Sequence, residues 1–565
     1  MTTDATTTDR PAGPAVDILP ASDIALHLPA PLVDRLASAW APIERSLERI
    51  GDWLNPILVK ETRQALKSFQ FTITFVLVLA LCWIATMGGV AWIGPGIFYA
   101  AAGGNLLLWY YAILSFPLAV IVPYSTFRSL ATEHEDNTYD LLSITTLRPR
   151  QIISGKLGSA VAQMAVYFSA IAPCISFTYL LRGVDLPTIA LLLVYSFFAS
   201  LGLCMVGLLL ATLTRQQFGQ VFLGVFFVAA LLGAFVCSLF IAYGIIGNSY
   251  AFLGDREFWI ANVAFATFYA TTFALAYCAA AGMISFTSEN RSTPLRVAML
   301  VQQAAFVGWI AWAWIVSEFM LFPGLVLATF AGCYWYLMGA MLTAERPEMS
   351  ERVKRRLPRS FLGRVFLTWL NPGPGTGYMF VVANATTIVV VALFGIAISE
   401  ALARGAGRWP GAQGLIYLLV IGWGYIVAYL GLGWIIIRGL RQIAVVTMLA
   451  AALIHFLLLL AGSGIPTTIQ LMSVQASAEL WSYLQVTNPF WTLYYLATGG
   501  SLAEGHVLLI LIPGAALCVL VLNLRTIVNE LNQVRIAPPV RVLEDEVELH
   551  PVPPSGPTNP WDEPE

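Results

Sequence analysis

Long apolar runs alternate with short polar connectors along this chain, at intervals that match a bilayer. A hydrocarbon core about 30 Å thick takes roughly 20 helical residues per crossing. Twelve stretches reach that length. The first six are Phe71–Ile93, Asn105–Phe127, Gly158–Leu181, Pro187–Leu213, Phe218–Ile246 and Trp259–Phe286. The second six are Val297–Ser317, Met320–Leu342, Tyr378–Ser399, Gly414–Ile437, Gln442–Gly462 and His506–Leu524. The fifth is long enough to cross and then turn back at the surface, and Pro513–Gly514 interrupts the last. The pattern predicts an all-α fold, a polytopic transmembrane helical bundle of about 12 spans.

Composition agrees. Of the 565 residues, 58% are apolar and 11% charged, whereas soluble domains carry about twice that charge. Placing the N-terminus inside puts 26 Lys and Arg on the inner side and four (Arg182, Arg256, Arg404, Arg408) outside. By the positive-inside rule both termini are then cytoplasmic, and the expected location is the inner (cytoplasmic) cell membrane. The net charge of −2 supplies no bulk basic field, so nucleic acid is not an expected partner. The predicted spans hold no Lys or Arg, which removes the intramembrane charges that mark ion and proton paths. His455, in the eleventh span, reads as a packed and hydrogen-bonded core imidazole. The seven cysteines sit in apolar runs without C-x-x-C spacing, so neither a disulfide nor a metal site is expected.

Outside the spans, residues 1–52 read as a disordered Thr/Pro/Ala-rich segment followed by surface helices, and 531–565 as a disordered, acidic, Pro-rich tail. Just before the first span, Asn55 can cap a helix that Pro56 starts. At about 100° per residue, Leu58, Thr62, Ala65, Leu66 and Phe69 share one arc, and Lys60, Glu61, Arg63, Gln64 and Lys67 the other. This predicts a basic amphipathic helix over 55–70 lying on membrane lipid. Trp53-Leu54-Asn55-Pro56 recurs as Trp369-Leu370-Asn371-Pro372. Two divisions fit: six spans plus six, or a second unit starting at Asn371 with the seventh and eighth spans inserted. Residues 53–290 form the first six-span unit, and 291–530 a second region that a diverged repeat would explain.

Between the second and third spans lies the loop 128–157, RSLATEHEDNTYDLLSITTLRPRQIISGKL. Acidic Glu133, Glu135 and Asp136 precede Asn137, and Tyr139, Leu141 and Leu142 follow on a short helix that needs a partner to cover it. Pro149 can start the next helix.

These residues resemble the permease subunit of an ATP-binding-cassette transporter of the type-2 exporter (ABC-2) class. In that family an acidic stretch, a Gly-Thr pair, a further acidic residue and paired leucines precede an apolar-basic stretch ending in Gly-Lys. Glu133, Glu135, Thr138, Asp140, Leu141, Leu142, Gly155 and Lys156 supply this pattern, with Tyr139 beside them. Asn137 stands where Gly is usual, and Asp140 where Glu is common. Asn55, Pro56, Lys60, Glu61 and Ser68 resemble the family's connecting helix. The resemblance covers roughly 53–290 and implies a coupling helix seated on a separate cytosolic ABC-type ATPase. It does not name the cargo.

No G-x-x-x-x-G-K-S/T phosphate loop and no hydrolytic motif occurs, so the chain reads as a permease component and not an enzyme. It needs no cofactor of its own; ATP would be bound by the partner ATPase. Ala266, Ala270, Ala274, Cys278 and Gly282 line one face of the sixth span. Such a stripe suits a homodimer seam, a half-to-half seam or packing within one bundle. An ion-coupled carrier and a non-transporting assembly factor are the alternative readings.

Overall fold

The computed structural model describes residues 55–95, 103–135, 148–213, 217–247, 253–286, 289–317, 321–346, 350, 353, 367–402, 412–473, 481–498, 502–535 and 540–549. The described residues hold no strand, and twelve helices are long and apolar enough to cross a membrane. The chain is a polytopic helical membrane protein. Large apolar side chains such as Phe218, Phe240 and Phe394 stand exposed on the outside of the bundle, where acyl chains would meet them.

Helix α1 (Pro56–Lys67) precedes the first unit, formed by α2 (Phe69–Ile93), α3, α4 (Pro149–Leu180), α5 (Leu186–Leu213), α6 (Gln217–Gly247) and α7 (Arg256–Ile284). Helix α3 runs Gly103–Phe116, passes a π-helical turn at Pro117–Ile121 and continues as Val122–Glu135. Pro117 has no N–H to give, so the ladder widens there. Ser200 Oγ donates to the Leu118 carbonyl at 2.6 Å within this turn. The second unit is α8 (Ser292–Val316), α9 (Leu321–Leu342), α10 (Pro374–Leu402), α11 (Ala412–Leu440), α12 (Met448–Met472) and α14 (Leu502–Arg535), with short α13 (Pro489–Ala497) between the last two.

The two halves share eight helix pairings, while the packing of the first helix on the third is extensive in the first unit alone. In the first unit the second helix packs on the first, third, fourth and fifth, while the fourth packs on the third, fifth and sixth. The third also packs on the sixth. Each of these pairings recurs among α8 to α12 and α14. In the second unit the 343–373 stretch lies between the second and third helices. Between the units, the extensive described pairing is α7 on α8. There Gln302 Nε2 donates to Thr272 Oγ1 at 2.9 Å, and Leu275 reaches the second unit's core. On the predicted small-residue stripe Ala266, Ala270 and Ala274 are exposed, and Gly282 approaches the backbone of Arg291.

Three expectations change. The fifth span is one continuous helix and does not turn back within the described residues. Pro513 lies inside α14 without ending it, because Gly424 of α11 leaves room beside Ile512 and Pro513; neighbouring helices commonly accommodate proline in membrane helices. The acidic tail contains α15 (Val540–Leu549), where Val540, Leu543 and Val547 recur at helical spacing.

The second unit carries a re-entrant hairpin that the apolar pattern left unassigned. Residues 481–497 make a 3-10 turn (Tyr483–Thr487) and then α13. Mid-helix Tyr425 and Tyr429 of α11 donate to the carbonyls of Val486 and Thr487, and Thr487 Oγ1 donates to Gly462 O of α12 at 3.0 Å. Within the hairpin, buried Asn488 donates to Gln485 at 3.0 Å and Gln485 to buried Gln470 of α12 at 2.8 Å. Irregular backbone persists at membrane depth where protein satisfies its polar groups in this way.

Candidate functional site

The residues of the 128–157 segment that are described meet α1 at one end of the bundle. Asn55 Oδ1 accepts from Ile57 N at 3.1 Å, which caps α1, while its Nδ2 donates to the Gln151 carbonyl of α4. Pro56 is the first helical residue, where its missing N–H costs nothing. At the start of α4, Gln151 Oε1 accepts from Arg148 N at 2.9 Å. Helix α1 then crosses α4 over two glycines. A Cβ on Gly155 would stand 2.8 Å from Ile57 Cγ2, and one on Gly158 2.6 Å from Leu58 Cδ1. The absence of side chains at these positions sets the close approach.

Against this crossing sits a buried cation. The Lys156 side chain is 1% exposed, and its Nζ lies 2.9 Å from Glu133 Oε1 and 3.3 Å from Glu61 Oε1. The same ammonium reaches the Ser129 carbonyl and Ser129 Oγ, each at 3.4 Å. Burying an unpaired ammonium costs several kcal/mol, so the two carboxylates and the serine are what allow it to be there. Tyr277 of α7 donates to the Arg150 carbonyl at 3.0 Å, bringing the sixth helix to the same end. The node joins the end of α3, the start of α4 and helix α1.

Glu61 is therefore not on the outward arc that the helical wheel assigned to it. It is buried, turned toward Lys156, whereas Lys60, Arg63 and Lys67 are exposed as expected. Phe69, placed on the apolar arc, is 80% exposed at the start of α2. Glu135 belongs to the last turn of α3. Thr138, Tyr139, Asp140, Leu141 and Leu142 lie outside the described residues. Ser129 had no sequence signal, since its partner is 27 positions away.

The second unit builds its own charged node at the corresponding end. Arg296 is fully buried in the first turns of α8 and not a flanking surface charge. It donates to Glu345 Oε2 at 2.7 Å, the Trp369 carbonyl at 2.7 Å, Gly373 O at 3.1 Å and Thr376 Oγ1 at 3.2 Å. Glu345 Oε2 also accepts from Gly373 N at 2.8 Å, and Glu530 Oε2 from Gly375 N at 2.7 Å. Gly373 has φ +147°, which a side chain would strain. In both units a carboxylate at the end of the second helix, Glu133 in its last turns and Glu345 just beyond it, pairs with a buried cation. The cation comes from the third helix in one unit and from the first helix in the other.

Among the described residues, no group of three His, Cys, Asp or Glu could hold a metal ion. His455 is buried, with Nε2 2.9 Å from Thr343 Oγ1. No family profile, characterised protein or solved structure matches this chain.

Proposed function

We propose that this chain is the membrane permease of an ABC-2-type exporter, driven by ATP hydrolysed on a separate cytosolic ATPase. The observation that carries the reading is the node at Lys156. It ties together both feet of the 136–147 loop, through Glu133 and Lys156, and fixes α1 to them through Glu61. A loop whose feet are joined transmits a push on its tip to three helices at once, as coupling to an ATPase requires. In this reading Tyr139, Leu141 and Leu142 form the contact, with Glu135, Thr138 and Asp140 shaping it. The matching helix pairings of the two halves support a duplicated unit, so that one chain supplies both sides of the translocation path.

The test is capture of an ABC-type ATPase on the tagged full-length chain. Full burial of a Leu side chain is worth roughly 1.5–3 kcal/mol. Leu142→Asp should therefore lower ATPase capture and stimulation at least tenfold at matched expression. Full capture by Leu142→Asp, or ATP turnover by the chain alone, would exclude the reading.

A further inference from the structure

Deeper into the bundle than Lys156, the first unit leaves an open polar cavity, and what it holds does not depend on the transport reading. The cavity measures about 420 Å³ and lies between α1, the start of α2, α3 and α4, in the elbow where Ser68 joins α1 to α2. The space is many times that of a single buried water.

On α4, Lys156, Ser159 and Gln163 follow one another at three- and four-residue spacing, so all three share the helix face that lines this cavity. Ser159 is 4% exposed and Gln163 7%. Gln163 Oε1 accepts from Ser125 Oγ at 3.5 Å. The Gln163 amide nitrogen and the Ser159 hydroxyl have no partner among the described residues, yet neither atom is sealed off from the cavity. Native structures rarely leave buried donors unmade, and two of them about one turn apart in a cleft call for an acceptor.

Charge narrows the choice of acceptor. The lining holds Lys60, Arg128 and Lys156 against Glu61 and Glu133, which leaves one positive charge in excess. Both carboxylates lean on Lys156, at 3.3 and 2.9 Å, whereas Lys60 and Arg128 are exposed. Phe71, Ile121 and Tyr124 give the cavity an apolar wall. Phe69, between the lining residues Ser68 and Gln70, is exposed where the lipid-facing surface of α2 begins. The cleft therefore joins a cationic, donor-rich part to an apolar part at the edge of the membrane, the division that a lipid headgroup and its chains require. We propose that it binds the phosphate headgroup of an anionic glycerophospholipid, with Ser159 Oγ and Gln163 Nε2 donating to the headgroup and Lys60 and Arg128 supplying the charge.

The full-length protein, delipidated in detergent, is titrated with dioleoyl phosphatidylglycerol, and bound lipid is counted by native mass spectrometry. A second arm uses dioleoyl phosphatidylcholine, and a third adds glycerol phosphate, which carries the anion without the chains. Phosphatidylglycerol should bind saturably, with a half-saturation several-fold below that of phosphatidylcholine. Ser159→Ala with Gln163→Met removes both donors at nearly constant volume and should raise that half-saturation about tenfold or more. Ser159→Ala alone serves if the double variant fails to fold. Lys60→Gln should weaken the preference for phosphatidylglycerol, whereas Lys67→Gln, which removes an exposed cation of the same helix outside the cavity lining, should not. Equal effects of the two lysine variants, or unchanged binding by the donor variants, would reduce the site to surface charge and overturn it. Equal half-saturation for the two lipids overturns the anionic assignment. Displacement of the lipid by an equal concentration of glycerol phosphate would assign the cavity to a free phosphate ester and overturn the lipid. Binding that never saturates leaves the cavity to water and overturns the site.

Discussion

Glu61 and Lys156 stand 95 residues apart in sequence, and 3.3 Å separates the carboxylate Oε1 from the ammonium Nζ. The contact fixes an amphipathic helix to the third span by its acidic residue, in addition to its apolar face. Because Lys156 also holds Glu133, neither carboxylate can be treated as a surface charge.

Removing the cation is therefore worse than removing the whole cluster. Lys156→Met leaves two carboxylates side by side in a nearly enclosed site, and breaking a buried pair this way costs about 3–5 kcal/mol. Thermal unfolding of the detergent-solubilised protein should show a clearly lower midpoint for Lys156→Met. The triple change with Glu61→Gln and Glu133→Gln should regain most of it. A Lys156→Met midpoint equal to wild type would mean that the cluster is solvated. By the same logic Glu133→Ala strips the cation of its nearer partner. It should destabilise this end measurably, more than the 0–1 kcal/mol of an exposed pair.

The crossing of α1 over α4 depends on Gly155. A Cβ there stands 2.8 Å from Ile57 Cγ2 and 3.1 Å from the Leu58 backbone nitrogen, so the two helices must separate. Overpacking of this kind costs typically about 1–3 kcal/mol. Tryptic cleavage after Lys60, Arg63 and Lys67, which are exposed but held in a helix, reads the separation. Cleavage should accelerate for Gly155→Ala and further for Gly155→Val. Unchanged cleavage would show that α1 is not held by this contact.

How far the sequence carries can be judged from particular elements. The twelve spans are legible because lipid exposure demands unbroken apolar runs, and Asn55-Pro56 is legible because capping is local. Glu61 was misplaced because a helical wheel knows nothing of a partner on another helix. Pro513 looked like a break because the glycine that accommodates it, Gly424, sits on a different span. The hairpin at 481–497 was missed because its polar residues are satisfied by α11 and α12, which no periodicity reveals. At 133–156 the sequence singles out Glu133, Gly155 and Lys156, but their convergence with Glu61 and Ser129 requires the fold.

Orientation rests on the distribution of 26 basic residues against four. In a cysteine-free variant, single cysteines at Asn248 and Gly411 should react with an impermeant maleimide added outside intact cells. Cysteines at Thr145 and Ser350 should react only after permeabilisation. Labelling of Thr145 from outside would separate the 136–147 loop from any cytosolic ATPase.

Arg296 donates through both of its terminal nitrogens to four acceptors while fully buried. A guanidinium fork can span the Trp369 and Gly373 carbonyls and Glu345 together, whereas an ammonium is a single point of charge. Arg296→Lys keeps the charge but leaves at least one buried carbonyl without a donor, at about 1–3 kcal/mol. Arg296→Met also leaves Glu345 without its cation and should approach about 3–5 kcal/mol. Thermal midpoints should fall in the order wild type, Arg296→Lys, Arg296→Met. Because α7 on α8 is the extensive described contact between units, tryptic cleavage of α1 in the first unit should stay at the wild-type rate. An Arg296→Lys midpoint equal to wild type would mean that charge alone holds this node. Faster cleavage of α1 in either variant would mean that the two nodes are mechanically coupled across the α7–α8 seam.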